Sequence, residues 1–192
     1  MKVLVTGTGS LLLGGIASEL LRRGDEVVCL QRRPAAFFGH QNAREVLADI
    51  CDAKAVALAT QGCDAVIHGA ARVGVVGSQK DFYDTNVRGT ENIIRAAEQH
   101  NLSRLVFVST PSVAHTGDSL IGALAGEAEI GRSRSHYAES KAVAERTVLH
   151  ARSNQLAVIA IRPHLVWGPG DTQLVGRIVD RAASGRLAVI GT

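Results

Sequence analysis

The sequence has few aromatic residues, few cysteines and no long apolar run. Aromatic residues make up 4% of the 192 positions and the basic residues are scattered, which argues against a nucleic-acid-binding surface of basic and stacking groups. The three cysteines, Cys29, Cys51 and Cys63, lack CxxC spacing, so neither a disulfide framework nor a metal site is expected. Cysteines without such a framework fit a reducing compartment.

Segments for secretion or membrane insertion are also missing. The first apolar segment ends at Gly7, too early for the apolar core of a signal peptide. No stretch approaches the roughly 20 apolar residues that a membrane-spanning helix needs. The composition, 46% apolar and 20% charged, is that of a globular protein. We therefore expect a cytoplasmic protein without a membrane span.

Short apolar, β-branched segments alternate with segments of helical periodicity along the chain. We predict strands over residues 2–6, 26–30, 45–49, 65–67, 104–108 and 156–161, and helices over residues 11–23, 53–60, 82–100 and 136–153. Such alternation requires crossover connections, and hence a mostly parallel sheet with helices on both faces. The predicted fold class is therefore α/β, with a doubly wound parallel sheet.

A glycine-rich loop joins the first predicted strand to the first predicted helix. At this point of an α/β sheet, free backbone N–H groups and the helix dipole favour a phosphate, and glycines let it approach the backbone. A tight turn without a ligand is the alternative. The loop residues expected to hold a dinucleotide are Gly7, Gly9, Ser10, Leu11 and Leu12.

The end of the second predicted strand bears on the choice of dinucleotide. NAD-binding sites have an acidic residue here that accepts hydrogen bonds from the adenosine ribose. This chain has Gln31, Arg32 and Arg33 instead, and guanidinium groups suit a ribose 2′-phosphate. We therefore expect NADP(H) in preference to NAD(H), which remains an alternative if both arginines only solvate a loop.

Two side chains with acid–base chemistry belong to the last predicted helix. Tyr137 and Lys141 are four residues apart, so they lie on one helix face. A phenol has a pKa of about 10 and a nearby cation lowers it, so the pair can transfer a proton near neutral pH. Thr110, after the fifth predicted strand, can hydrogen-bond a substrate oxygen; Ser109 and Ser112 are alternatives.

Ordered motifs in this chain resemble those of the extended short-chain dehydrogenase/reductase family, the NAD-dependent epimerase/dehydratase superfamily. They are TGTGSLLLGG, HGAA, NVRGT, YAESK and RPHLVWGPGD. The resemblance implies a Rossmann fold and an oxidoreductase with Tyr137 as the acid/base. It is closest to the 3β-hydroxysteroid dehydrogenase and ketoreductase branch, because Val113 and Ala114 stand where sugar-nucleotide enzymes typically carry Val-Tyr.

The resemblance also implies roles for individual residues. Asn86 supports the active-site geometry, Thr110 holds the substrate oxygen, and Lys141 binds the nicotinamide ribose. Residues implied to line the cofactor elsewhere are Asp49, Ile50, His68, Gly69, Ala70, Ala71, Pro163 and Val166. Leu13 takes the place of the family's third loop glycine, and it should widen the packing of helix against strand unless Gly14 replaces it.

The implied activity is the interconversion of a secondary alcohol and a ketone on an apolar, steroid-like or long-chain keto substrate. The alternatives are a nucleotide-sugar epimerase or dehydratase and a non-catalytic dinucleotide-binding redox sensor. Residues 1–170 would form the dinucleotide-binding domain, and residues 171–192 the start of a substrate-binding region whose remainder is missing. A homodimer through the helices predicted at 82–100 and 136–153 is expected.

Overall fold

Six parallel strands form one sheet, in the order β3-β2-β1-β4-β5-β6. The computed structural model describes residues 1–34, 40–74, 76–115, 121–122, 124–133, 135–171 and 175–188. The strands are β1 (Lys2–Thr6), β2 (Glu26–Gln31), β3 (Ala43–Leu47), β4 (Ala65–His68), β5 (Arg104–Val108) and β6 (Ala157–Ile161). The helices are α1 (Leu11–Arg22), α2 (Ala53–Thr60), α3 (Gln79–Tyr83), α4 (Gly89–Gln99), α5 (His136–His150) and α6 (Val175–Ala183). This arrangement confirms the predicted doubly wound α/β fold, the Rossmann fold.

The strand order reverses between β1 and β4, and this reversal positions the site. The chain first adds β2 and β3 on one side of β1, and then returns to place β4 on the other side. The register pairs Thr6 at the end of β1 with Leu30 of β2 and with His68 of β4. The carboxyl ends of these strands therefore meet, and the loops that leave them diverge around a crevice for a ligand.

Apolar cores cover both faces of the sheet. On one face, α1 packs through Leu13, Ala17 and Leu21 against Val3 and Val5 of β1. On the other face, α2, α4 and α5 pack against the alternate side chains of the strands. That core includes Leu4, Leu30, Val56, Val66, Ile93, Leu105, Phe107 and Val148. Burial on both faces explains why these strands are continuous apolar runs in the sequence.

The helix ends confirm two local sequence features. Asp52 caps α2, because its carboxylate accepts the backbone N–H groups of Lys54 and Ala55. Gly24 follows α1 with φ at +84°, the left-handed conformation that favours glycine after a helix. Strand β3 begins and ends earlier than predicted, so Asp49 lies in the turn after the strand.

The single helix predicted over residues 82–100 is divided. A π-helical turn over Asp84–Arg88 separates α3 from α4. In this turn the Asn86 side chain accepts the Arg72 N–H at 2.7 Å and donates to the Arg72 carbonyl at 3.1 Å. The Thr90 hydroxyl donates to the Asn86 carbonyl at 2.6 Å. These side-chain bonds compete with the regular helical pattern, and such turns occur frequently at functional sites.

The region after residue 170 contributes one described helix. None of the residues of α6 is buried. The boundary at residue 170 therefore stays a prediction, and the apolar run at residues 187–190 extends outside the described residues. Within the described ranges, every helix is too short or too polar to cross a membrane.

Candidate active site

A cavity of about 190 Å³ lies at the carboxyl ends of the central strands. It brings together the glycine loop, the end of β2, the turn after β3 and the turn after β4. Its lining residues are Gly7, Ser10, Leu30, Gln31, Arg32, Ala48, Asp49, Ile50, Gly69, Ala70, Ala71, Val73 and Thr85. A crevice of this composition at the switch point of a parallel sheet can hold a nucleotide.

The glycine loop approaches the turn after β4 so closely that a side chain would collide with backbone. Gly7 has φ at +84°, and a Cβ added there would lie 3.0 Å from the Ala70 N and Cα atoms. Ser10 caps α1, because its Oγ accepts the Leu13 N–H at 3.3 Å and donates to the Gly7 carbonyl at 2.9 Å. The start of α1 therefore faces the cavity, where its dipole favours a phosphate.

Leu13 is accommodated by an exchange of size with Gly69. Leu13 is 3% exposed in the core between α1 and the sheet. A Cβ added at Gly69 would lie 2.5 Å from Leu13 Cδ2 and 2.6 Å from Leu13 Cγ. Glycine at residue 69 thus leaves space for the Leu13 side chain, so neither wider packing nor a replacement by Gly14 is required.

The end of β2 presents one arginine to the cavity. Arg32 lines the cavity and forms an ion pair with Asp49 at 3.9 Å. Arg33 is exposed and is not among the lining residues. The structure therefore separates two neighbours that the sequence analysis treated as equivalent.

Gln31 is held by protein groups on both sides. The Thr8 hydroxyl donates to Gln31 Oε1, and Gln31 Nε2 donates to the Glu45 carboxylate. Gly9 lies beside it, since a Cβ added there would be 3.7 Å from Gln31 Oε1. The Gln31 side chain thereby forms a fixed part of the cavity wall.

His68 is buried behind the cavity and does not line it. Thr90 uses its hydroxyl proton on the Asn86 carbonyl, so His68 Nε2 must donate to Thr90 Oγ1, which lies 3.0 Å away. His68 Nδ1 then accepts the Thr6 hydroxyl proton at 2.7 Å. Burial, with a smaller effect of the Lys141 ammonium, lowers the pKa of His68 to about 3. His68 is therefore a neutral link between strands and helix.

Thr6 connects this link to the cavity. Its hydroxyl oxygen accepts the backbone N–H groups of Gly69 at 3.1 Å and Ala70 at 3.0 Å. The predicted HGAA turn is thus held by the side chains beneath it, and its backbone forms part of the cavity wall. His68 acts on the turn through Thr6.

Other predicted cofactor residues lie outside this cavity. Leu11, Leu12 and Val166 line a second, largely apolar cavity of about 620 Å³ between α1 and the face of β4, β5 and β6. Trp167 lines the same cavity. Pro163 is half-buried in the segment after β6 and lines neither cavity.

The predicted reacting groups do come together. Tyr137, at the start of α5, is half-buried, and its phenol lies near the side chain of Thr110, which follows β5. Burial raises the pKa of Tyr137, and the nearby Thr110 side chain opposes part of this rise. The net shift is opposite to the one expected from a neighbouring cation, so the phenol keeps its proton at neutral pH.

Lys141 is buried against the end of β5. It is 2% exposed, its Nζ donates to the Val108 carbonyl at 2.7 Å, and Nζ lies 3.9 Å from the centroid of the Phe107 ring. Burial lowers the pKa of Lys141 to about 7, and the Glu145 carboxylate opposes this decrease. The ammonium and the neutral amine therefore both exist near neutral pH.

Asn86 ties the reacting helix to the cavity turn. Its Nδ2 donates to Ser140 Oγ at 2.9 Å, and Ser140 Oγ donates to the Tyr137 carbonyl at 2.8 Å. Through its bonds to the Arg72 backbone, Asn86 also fixes the residue that follows Ala71. Asn86 therefore connects the start of α5 to the turn after β4, and its supporting role in the reaction stays a prediction.

The alternatives to Thr110 are less well placed. Ser112 Oγ accepts the Thr110 hydroxyl at 3.2 Å. Ser109 Oγ is buried and has no hydrogen-bond partner among the described residues. Of these three hydroxyls, we take Thr110 as the one that meets Tyr137.

Several residues of the site were missed by the sequence analysis. Thr6, Thr8, Thr90 and Ser140 hold predicted residues in place. They lie within the quoted motifs TGTGSLLLGG, NVRGT and YAESK, but no role was assigned to them. The missed lining residues are Leu30, Ala48, Val73 and Thr85. Leu30, Ala48 and Thr85 each precede a predicted residue directly, so their position in the sequence was the signal that could have identified them.

The described residues contain no cluster of three or more His, Cys, Asp or Glu side chains that could hold a metal ion. Cys29, Cys51 and Cys63 are unpaired.

Comparisons with known proteins agree with this geometry. The family model of the 3-beta hydroxysteroid dehydrogenase/isomerase family matches residues 4–192. The chain is 40% identical to the 2-alkyl-3-oxoalkanoate reductase of Stenotrophomonas maltophilia (strain K279a), covering 100% of this chain and 58% of that protein. It is 29% identical to the 3-beta-hydroxysteroid dehydrogenase of Mycolicibacterium neoaurum, covering 98% of this chain and 54% of that one.

A solved structure, MoeE5 in complex with UDP-glucose and NAD, superposes with a TM-score of 0.81 at 28% identity, covering 96% of this chain and 62% of that chain. The chain therefore spans between 54% and 62% of the length of these similar proteins.

The exchange of size between Leu13 and Gly69 predicts coupled substitutions. Gly69→Ala should cost roughly 1–3 kcal/mol of unfolding free energy, because the new methyl group overpacks against the Leu13 side chain. In a Leu13→Ala background the same change should cost much less, since the colliding atoms are gone. Urea unfolding of the two single variants and the double variant measures these costs. If the losses of unfolding free energy in the single variants add up to the loss in the double variant, Leu13 and Gly69 are not coupled by packing.

The neutral state of His68 predicts a loss of stability in acid. His68 binds a proton below about pH 6.5 in the unfolded chain, but only below about pH 3 in the folded chain. The unfolding free energy therefore falls as the pH is lowered from about 6.5 to about 3. Between pH 7 and pH 5 this group alone should remove about 2 kcal/mol. His68→Gln should flatten the pH dependence measured by urea unfolding.

The matched control is His164→Gln, at an exposed position. This variant should keep the wild-type slope of stability against pH. Equal slopes for wild type and His68→Gln would show that His68 is not held neutral.

Proposed function

This chain belongs to the 3-beta hydroxysteroid dehydrogenase/isomerase family, and we propose that it forms the dinucleotide-binding and catalytic part of an NAD(P)-dependent oxidoreductase. The reaction is the interconversion of a ketone and a secondary alcohol on an apolar substrate. The observation that carries this proposal is the approach of Tyr137 to Thr110, on the helix and strand end that also hold the buried Lys141.

In the reductive direction, bound NAD(P)H supplies a hydride to the carbonyl carbon. Thr110 donates a hydrogen bond to the carbonyl oxygen and holds it beside the phenol. Tyr137 transfers its proton to that oxygen as negative charge develops there. The ketone gains one hydride and one proton, and the tyrosinate regains its proton from solvent.

Lys141 would bind the nicotinamide ribose. The Val108 carbonyl is the one described acceptor of a hydrogen bond from its ammonium, so further N–H groups are available for ribose hydroxyls.

The phenol can donate the proton that reduction of a ketone consumes, because it is protonated at neutral pH and burial raises its pKa further. The relative named 2-alkyl-3-oxoalkanoate reductase is 40% identical, whereas the relative named 3-beta-hydroxysteroid dehydrogenase is 29% identical. A long-chain β-keto acid is therefore the preferred substrate class, and a 3-hydroxysteroid is the second.

NADP(H) is the proposed cofactor. Arg32 at the end of β2 lines the cavity and can pair with a ribose 2′-phosphate, and no acidic residue ends this strand. MoeE5 is in complex with NAD, which supports a nicotinamide dinucleotide in general.

Two other functions have specific features in their favour. MoeE5 is in complex with UDP-glucose, which fits a nucleotide-sugar epimerase or dehydratase. A dehydratase would need an acidic residue near Thr110 for elimination, however, and Pro111 and Ser112 follow it. A redox sensor would not need the pair of Tyr137 and Lys141, and this chain retains both.

A homodimer through α4 and α5 in the cytoplasm completes the proposal. The family resemblance supports the dimer, and exposed Leu149 on α5 offers apolar surface for it. Three unpaired cysteines fit a reducing compartment.

The proposed role of the Tyr137 phenol predicts a large decrease in kcat when its hydroxyl oxygen is removed. Tyr137→Phe should lower kcat by about 10²–10⁴-fold with NADPH and a 2-alkyl-3-oxo acid, because the proton donor is lost. NADPH affinity, measured by fluorescence titration, should change less than about twofold, since the phenol does not hold the dinucleotide.

Tyr83→Phe is the matched control, because Tyr83 is an exposed tyrosine on α3. It should leave kcat unchanged. NADPH binding without turnover of a keto acid, a 3-oxosteroid or UDP-glucose, together with no effect of Tyr137→Phe, would favour the sensor instead.

The arginine at the end of β2 predicts a change of cofactor preference. Arg32→Ala should weaken NADPH binding by roughly 10–100-fold, the loss expected for hydrogen bonds to a charged phosphate, with little effect on NADH. Arg33→Ala should have a smaller effect on NADPH binding. Arg104→Ala should have none, because Arg104 is at the amino end of β5, away from the cavity at the carboxyl ends of the strands. Equal losses for NADPH and NADH would contradict the assigned role of Arg32.

A further inference from the structure

A buried ion pair lies beside the reacting helix and has no part in the proton transfer described above. Glu145 is 1% exposed and pairs with Arg162 in a bidentate manner. Arg162 Nε donates to Glu145 Oε2 at 3.0 Å, and Arg162 Nη2 donates to Oε1 and, at 2.9 Å, to the Gly126 carbonyl. Two parallel N–H···O bonds fix both side chains in one orientation.

The pair joins two elements that must be aligned for the proposed reaction. Glu145 is four residues after Lys141 on α5, so both side chains lie on the same face of the helix. Arg162 follows β6 directly and precedes Pro163, in the segment that resembles the nicotinamide-binding stretch of the family. The ion pair therefore links the helix that carries Lys141 to that segment.

Anchoring alone does not require charges at this position. Desolvating a carboxylate and a guanidinium costs free energy, and a buried ion pair can often be replaced by apolar side chains of similar volume without loss of stability. Glu145 and Lys141 are both buried and one helical turn apart, so the carboxylate has an additional effect on the ammonium, because Coulomb interactions are strong in the protein interior.

We infer that Glu145 is a positioning residue for Lys141: its carboxylate, oriented by Arg162, keeps the Lys141 side chain in the charged form that can hold a nicotinamide ribose. This inference rests on the proposed function for the role of Lys141. The charge effect itself is a property of the protein without any cofactor.

The groups around Lys141 make this effect testable. On α5, Tyr137 precedes Lys141 by one helical turn and Glu145 follows it by one turn. Neutral His68 faces Lys141 from β4. The Phe107 ring and the Val108 carbonyl contact it from β5. Arg162, in the segment after β6, pairs with Glu145. Among the groups described here, Glu145 is the one anion that favours the ammonium, and its effect opposes the lowering of the Lys141 pKa by burial.

Removal of the carboxylate should therefore be measurable at Lys141. In Glu145→Gln the pKa of Lys141 should fall by about one unit from its value of about 7, so the charged fraction above neutral pH should fall about tenfold. NMR titration of the Lys141 side chain in the cofactor-free protein, assigned with Lys141→Met, measures this directly.

A double variant separates charge from anchoring. Glu145→Met with Arg162→Met removes both charges and keeps an apolar contact, so urea unfolding should be close to that of the wild type even if Glu145→Gln, which leaves Arg162 unpaired, folds poorly. If the inference is correct, the double variant has wild-type stability and a lowered Lys141 pKa. A wild-type Lys141 pKa in the stable double variant would overturn it and leave an anchoring role only.

Steady-state kinetics gives a second readout. The alkaline limb of kcat/KM against pH should move about one unit lower in the double variant, with most of the change in the KM for NADPH. An unchanged profile in an active double variant also overturns the inference. If the wild type turns over no ketone, the proposed function fails, while the NMR titration still decides whether Glu145 controls the charge of Lys141.

Discussion

The burial of the Lys141 ammonium is the interaction on which the rest of the site depends. A cation with so little access to water must be stabilised by protein groups, and the Val108 carbonyl and the Phe107 ring do this at the end of β5. The helix that carries Lys141 also carries Tyr137, and the strand end that receives it continues to Thr110. Placing the ammonium therefore also places the phenol beside the hydroxyl.

A buried hydrogen-bonded column connects this centre to the dinucleotide cavity. The column consists of Thr6, His68, Thr90 and Asn86. Thr6 donates to His68, His68 donates to Thr90, and Thr90 donates to the Asn86 carbonyl. At one end Thr6 holds the turn that lines the cavity, and at the other end Asn86 holds the start of α5 through Ser140. A neutral histidine suits this position, because a charged ring would face the Lys141 ammonium in the buried interior.

The glycine loop illustrates how a departure from a family pattern can be absorbed. Leu13 alone looks incompatible with close packing of helix against strand. Gly69, which is distant in sequence, lacks the one carbon atom that would collide with it. The relevant quantity is the volume shared by both positions, and a comparison of motifs one position at a time does not detect it. Arg32 and Arg33 show a related effect, because neighbours in a sequence leave a strand in different directions.

Features that depend on residues close together in the sequence could be predicted from the sequence alone. The apolar strands, the cap at Asp52, the glycine after α1 and the shared face of Tyr137 and Lys141 all depend on residues within a few positions of one another, and the alternation of strands and helices determined a doubly wound sheet. Tertiary structure alone decided the π-helical turn at Asn86, the fit of Leu13 to Gly69, the pairing of Glu145 with Arg162 and the raised pKa of Tyr137. These features depend on contacts between distant segments and on the exclusion of water, neither of which is encoded at any single position of the chain.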